Sequence, residues 1–513
     1  MKLNRYPVLV LSVIILLPFT NLALSNSNAL TRVPAQEVLF KLSHHMPVEY
    51  DNVIIVGDLE LGNMRPNDDY KILENEQENL SGSQVIRLDS PIKITNSIIN
   101  GNLSSSACIF EAPLIFSSTN FQQNTSFRGS RFNRETLFHG CNFNKNCDFS
   151  FTNFNHDADI FQAAADFEDT TFNGYANFGN SDFFGSMFFG GSTFLRGCDF
   201  ENSWFKKTAC YNYTDFSDDA NFKRCRFFDD AYFYKSKFYD SADFAMSIFL
   251  KSADFSWAYI GKNLKLNNSV FWDDVLFTKS SFIGDLIIHF TVFKSNFIVE
   301  WNDIKNKISA DKGTYFNLVK IFKNMGLEGS GGAIDCYYLY KKEIMKDDKG
   351  IYNFQRSIWD HLQWIVWGFG VRPWYTFSFS LCLIVLFGAF YSMTKLISAQ
   401  IKPRANYSNI IFIWSIVFFI LWGYLTYSFD IYHILFFSCC FLFLYIFLFY
   451  AFMNTITNNM LFSFNIFFAY NPYYSWKIGT NFDFIILFER ILGWLLTAIF
   501  IGTLINISWP FTW

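Results

Sequence analysis

From Phe167 to Phe293 a large apolar residue returns at alternating steps of five and six, at positions 167, 172, 178, 183, 189, 194, 200, 205 and onward. Of these 24 slots 20 are Phe, and Tyr211, Ile260, Leu266 and Ile288 fill the rest, so the phase runs through without a slip. Upstream, Phe116, Phe121, Phe127, Phe132, Phe138, Phe143, Phe149 and Phe154 keep the same beat, with one extra residue counted near 157–161. Two residues before most large slots stands a small one, as at Ala165, Thr170, Ala176, Ser181, Ser192, Cys198, Ser203 and Ala209. This is an eleven-residue internal repeat made of two unequal halves.

An eleven-residue apolar period also suits a right-handed helical coil. A step of five, however, turns a helical side chain by about 140°, so the rings would not share one stripe. The fill is rich in Asn, Asp, Gly, Ser and Phe, which are mediocre or poor helix formers. A solenoid answers both points. Each half-repeat is one short side, with its large residue pointing inward from mid-side. The residue two before it also points inward by strand alternation and is small because it lies near a corner. Asn, Asp, Gly and Ser then turn the corner. Four sides make a coil of about 22 residues, and rings stack at about 4.8 Å per coil.

Residues 94–297 resemble the pentapeptide-repeat family, whose A(D/N)Lxx pattern has Leu or Phe at its centre. ADF recurs at Ala165–Phe167, Ala242–Phe244 and Ala253–Phe255, and ANF at Ala176–Phe178 and Ala220–Phe222. The resemblance implies a right-handed quadrilateral β-helix. The sixth residue of every second unit departs from the family pattern and is expected to bulge one corner per pair of sides.

The repeat accounts for half of the ten cysteines: Cys108, Cys141, Cys147, Cys198 and Cys225 all occupy the small slot. They read as reduced interior fillers interchangeable with Ala or Ser. No CxxC or Cys/His metal spacing is present, and His44-His45 reads as loop. Asp218-Asp219, Asp229-Asp230 and Asp273-Asp274 share one phase of the repeat, so they read as corner residues, with a cation-binding ladder as the second reading. No phosphate loop, HExxH or GxSxG appears, so no enzyme, cofactor or metal is expected. A net charge of −4 gives no footprint for nucleic acid.

Residues 1–25 read as a secretory signal: Lys2 and Arg5, an apolar run, then Ala23-Leu24-Ser25. Residues 26–93 form a capping region for the 94–300 β-helix, and 301–360 a short helical linker, marked by the stripe Tyr315, Leu318, Ile321, Phe322 and Met325. Residues 361–513 hold four apolar stretches long enough to span a bilayer, 375–397, 410–427, 431–453 and 484–507. The expected architecture is therefore a β-solenoid followed by an all-α membrane domain of about four transmembrane helices.

That last part resembles a diverged two-helix-plus-pore-loop ion-channel domain. LFSFNIFFAYNPY stands where such channels carry a pore helix and filter, and ERILGWLLTAIFIGTLIN resembles their inner helix. On that resemblance Tyr470, Asn471, Pro472, Glu489, Arg490 and Gly493 are the pore or gate candidates. The Gly-rich potassium filter itself is missing. Glu489-Arg490 is the one charged pair inside a span, read either as an intramembrane ion pair or as two side chains snorkelling to the interface.

Lys395, Lys402, Arg404 and Lys477 cluster in two loops, and positive-inside counting with the signal puts the repeat domain outside the cytoplasm of a multi-pass cell-membrane protein. The leading functional reading is a membrane-anchored rod that offers an interaction or scaffold surface to a protein partner, with a possible homo-oligomer through the membrane domain. The alternative is an ion channel-like protein gated or modulated by the rod.

Overall fold

The computed structural model describes residues 30–64, 85–156, 163–326, 331–347, 354–393, 462–468 and 483–508. The signal reading of 1–25, the spans at 410–427 and 431–453, and Tyr470, Asn471 and Pro472 lie outside the described residues.

Short strands, mostly of two residues, stack in parallel into four sheets, three of eleven strands and one of ten. A strand pairs with the one four strands on, except that Thr31–Pro34 pairs with Val53–Val56 and Leu286–Ile287 with Ile308–Ser309, so every four strands make one coil. Eleven coils at about 4.8 Å each give a rod about 50 Å long. Register is exact stacking of like on like: Phe121 lies against Phe143, Phe205 against Phe227, and Ala220 against Ala242.

The beat reads directly as packing. Phe167, Phe189, Tyr211, Phe233, Phe255 and Phe277 form one fully buried column, with successive ring centroids 4.8–5.1 Å apart and planes within 13° of parallel. The neighbouring columns meet it edge-on, as where Phe233 lies 5.2 Å from Phe244 at 86°. Each buried ring removes enough apolar area from water for roughly 2–3 kcal/mol, and offset-stacked and edge-to-face pairs add to it.

The two step lengths make two different corners. The five-residue step carries a tight turn: Ser236 N–H donates to Phe233 O, and Lys235 between them sits at φ +57°. One left-handed residue at the third turn position is the type II pattern. The six-residue step has its extra residue and no left-handed one from Phe238 to Phe244, Gly197 between Phe194 and Phe200 being an exception.

The corners also split the small slot. Inside the five-residue step it is mostly a donor: Ser203, Thr214, Ser236, Ser247, Ser269 and Ser280 each hydrogen-bond the carbonyl of a ring residue one coil back. Inside the six-residue step it is mostly Ala, as at Ala209, Ala220, Ala231, Ala242 and Ala253, all fully buried. Ala and Ser are therefore not interchangeable along the rod.

The count near 157–161 is corrected. Across that stretch Thr136 pairs with Ala165 and Phe143 with Phe172, a spacing of 29 where the other coils from Arg87 onward have 22. Seven residues are inserted, not one, and Phe167 takes up the stack directly on Phe138 at 5.0 Å. Parallel pairing also begins upstream of the beat, because Val48–Asp51 and Val53–Val56 already lie against Ile92–Thr95 and Ile98–Ile99. Helix α1 (Ala35–Ser43) follows the first strand and buries Ala35, Val38 and Leu42 on this coil.

Beyond the last coil come α2 (Trp301–Ile304), α3 (Lys312–Asn324), α4 (Gly331–Asp347), α5 (Phe354–Trp367) and α6 (Pro373–Met393). The linker stripe Tyr315, Leu318, Ile321 and Phe322 is buried, continuous with the rod core. Asp335 on α4 ties the parts together, accepting from Trp301 Nε1 at 2.7 Å and pairing with Arg372 at 2.6 Å. A short helix α7 (462–467) and a long one, α8 (Asp483–Ser508), pack against α6. Within α8, Phe484–Ile505 has mean hydropathy 2.1, the one described helix long and apolar enough to cross a membrane.

Candidate functional site

Two places on this fold gather chemistry. The first is one corner of the rod. The left-handed turn positions recur every 22 residues, or 29 across the insertion, and along this corner from Gly140 onward they are Gly140, Asp169, Gly191, Tyr213, Lys235, Trp257 and Lys279. Its C-terminal half is an alternating ladder of ring and cation. Lys235 Nζ lies 5.2 Å from the rings of Tyr213 and Tyr234 and 5.8 Å from Trp257, while Lys279 Nζ lies 4.6 Å from Trp257. The neighbouring Tyr213 and Tyr234 phenols push the Lys235 ammonium up, so it is charged at any physiological pH.

Tyr213 is 55% exposed and Trp257 48%, although both occupy backbone where a side chain other than Gly or Asn is strained, by roughly 1–2 kcal/mol. The diagonally opposite corner has the easier Asn180, Asn202 and Asn268 at three turn positions, but also Phe151, Arg224, Met246 and Phe290. Strained side chains thus occur on both corners, while the alternation of ring and lysine belongs to the first. Sequence reading missed this ladder because the beat marks inward residues. The signal was present in the 22-residue spacing of the residues two after each such ring.

The second place is where α6, α7 and α8 meet. Glu489 is fully buried and accepts hydrogen bonds from Tyr391 Oη and Ser463 Oγ, both at 2.5 Å. Ile384 O, 3.0 Å from Ser463 Oγ, is the alternative acceptor for that single hydroxyl proton, and hydroxyls on two helices converge on one carboxyl. Glu489 and Arg490 do not pair, and the Glu489 side chain does not snorkel. Being adjacent on a helix, the two point to different sides, and the buried Arg490 Nε meets no acceptor among the described residues. Gly493 lies in the α7–α8 contact, where a Cβ would fall on the Phe467 carbonyl oxygen.

The paired acids of the rod act as corner ties. Asp274 accepts from Ser295 Oγ and Asn296 N, and Asp230 from Ser252 N; the single Asp240 likewise binds Lys262 at 2.6 Å.

Residues 116–160 match the family model described as pentapeptide repeats (9 copies). The rod is a pentapeptide-repeat β-solenoid. Its strands, phase and ring columns run on unbroken beyond the matched segment to Phe293. No curated protein and no solved structure matches the chain. Among the described residues no cysteine forms a disulfide, and those of the small slot are buried: Cys198 and Cys225 are at most 1% exposed.

Proposed function

We propose that this chain is a non-enzymatic, membrane-anchored scaffold whose pentapeptide-repeat solenoid binds a protein partner along the Tyr213–Lys279 corner. The observation that carries the reading is the alternation of the exposed rings Tyr213 and Trp257 with Lys235 and Lys279 along one corner, which the opposite corner, with its scattered Phe151 and Phe290, does not share. Folding alone favours Gly or Asn at those positions, so rings held there serve contact. The occupant is a segment with carboxylates opposite Lys235 and Lys279 and apolar groups against Tyr213 and Trp257. Anchoring is supported by Phe484–Ile505 and by the apolar helix Pro373–Gly388. The remaining spans read from sequence complete a multi-pass domain, the signal and loop charges put the solenoid outside the cytoplasm, and the membrane domain offers a surface for self-association.

Photoreactive phenylalanine analogues placed singly at 213 and 257 in the intact cell should yield a discrete adduct. Tyr175, 43% exposed and off the ladder, should not. Equal labelling at all three positions, or none, would refute the surface. For anchoring, the full chain should stay with membranes through an alkaline carbonate wash, and a chain ending at 360 should be released. A second reading, a conducting membrane domain, is favoured by the buried Glu489 centre, because an acid inside a span marks a functional position by default. Planar-bilayer recording of the purified protein separates the two.

A further inference from the structure

The seven-residue insertion brings together residues that no other coil combines. His139 lies on the coil before it, and Asp166, Glu168 and Asp169 on the coil after it. A ring nitrogen of His139 and one carboxylate oxygen each of Asp166 and Glu168 lie within 4.8 Å of one another. His139 Nδ1 is 3.6 Å from Asp166 and Nε2 is 3.9 Å from Asp169, too far for hydrogen bonds. A cation with metal–ligand bonds of about 2.1 Å holds adjacent ligand atoms about 3.0–3.5 Å apart, so small side-chain rotations close the set.

Two further features distinguish this cluster. Among the described residues no Lys or Arg pairs with these three carboxylates, and burial raises both Asp166 and Glu168 above the usual carboxylate range. The Asp218–Asp219–Asp240 cluster, in contrast, already has Lys262 on Asp240. Second, the next coil presents Gly190 and Gly191. A Cβ on Gly190 would approach Glu168 Oε1 to 3.1 Å, and one on Gly191 would collide with Asp169 Oδ1. The carboxylates therefore lie over a floor bare of side chains.

We propose that His139, Asp166 and Glu168, with Asp169 at the rim, bind a divalent cation that staples the two coils flanking the insertion. Imidazole disfavours Ca2+ and Mg2+, and a carboxylate majority suits harder ions, so the class is Mn2+ or Zn2+. The ion offsets the charge of desolvated acids that no Lys or Arg among the described residues pairs with, and it ties coils whose connecting chain is seven residues longer than the 22-residue repeat. Spacing in the sequence hides the site because His139 and Asp166 stand 27 residues apart across the irregular stretch.

The test uses the full chain, solubilised in detergent and stripped with EDTA. Mn2+ is titrated while the free-ion electron paramagnetic resonance signal is followed, and Zn2+ is added in parallel thermal melts. Expected are one Mn2+ per chain and a melting transition raised by Zn2+ and returned by EDTA. His139→Ala and the isosteric Glu168→Gln should each weaken binding by at least about tenfold, with Asp240→Asn unchanged. Because Glu168→Gln keeps size and shape, it reads ligation even where His139→Ala disturbs the corner. Absence of Mn2+ binding by the unaltered chain, or binding that survives both variants, overturns the site.

Discussion

Tyr211 is the one hydroxylated ring in the column that runs from Phe167 to Phe277. It is stacked 5.1 Å from Phe189 and 5.0 Å from Phe233, nearly parallel to both, and is fully buried. Its hydroxyl meets no hydrogen-bond partner among the described residues. Tyr211→Phe removes that oxygen and leaves both stacks in place. A buried polar group without a bond costs roughly 1–3 kcal/mol, which the variant recovers. Against this stands the void left by one oxygen, about 0.4 kcal/mol at the usual dependence on cavity volume. The net expectation is a gain of about 1–2 kcal/mol, whereas Tyr211→Ala should lose about 3–5 kcal/mol as an open cavity. Urea denaturation of the detergent-solubilised chain, followed by the β signal in far-ultraviolet circular dichroism, measures both. A loss of about 1 kcal/mol or more in Tyr211→Phe would refute the argument, because it would mean that the hydroxyl is bonded in the folded state.

Alkylation of the folded protein should miss Cys198 and Cys225, and both should react after denaturation without reductant; a mass spectrum with either in a disulfide would refute the reading. Cys225 donates to Phe200 O at 3.0 Å while Cys198 has no such acceptor, so Cys225→Ser should be nearly neutral and Cys198→Ser should lose about 1–3 kcal/mol, read by urea midpoints. Burial pushes Cys108 and Cys141 from their ordinary 9.0 to about 12. The unfolded chain releases these protons first, so stability should hold below pH 9 and fall towards 12 by about 1.4 kcal/mol per pH unit per thiol; melts on either side of pH 9 should show a smaller drop in a Cys108→Ala, Cys141→Ser double variant. Gly493→Leu should force α8 off Phe467 and destabilise the helix cluster by about 1–3 kcal/mol, seen as a lower melting temperature in detergent with the β signal of the rod unchanged.

The sequence by itself determined the solenoid, because burial in a stacked coil is periodic and local. A ring at each beat points inward whatever its neighbours do, so Phe233 and Phe244 were legible from spacing alone. The fate of Cys198 and Cys225 as interior fillers followed from the same phase. Tertiary structure decided what depends on the meeting of coils or helices. The carbonyl that makes Ser236 a donor slot and Ala231 an inert one belongs to another coil, so one-dimensional spacing treats the two alike. His139 faces Asp166 only because seven inserted residues are absorbed before the register resumes. The ladder of Tyr213, Lys235, Trp257 and Lys279 exists because left-handed turns stack. In the helical part, adjacency suggested a Glu489–Arg490 pair, yet Glu489 takes its hydrogen bond from Tyr391, 98 residues upstream. Helix packing decides which hydroxyls reach a buried carboxyl, and no local pattern in the chain carries that information.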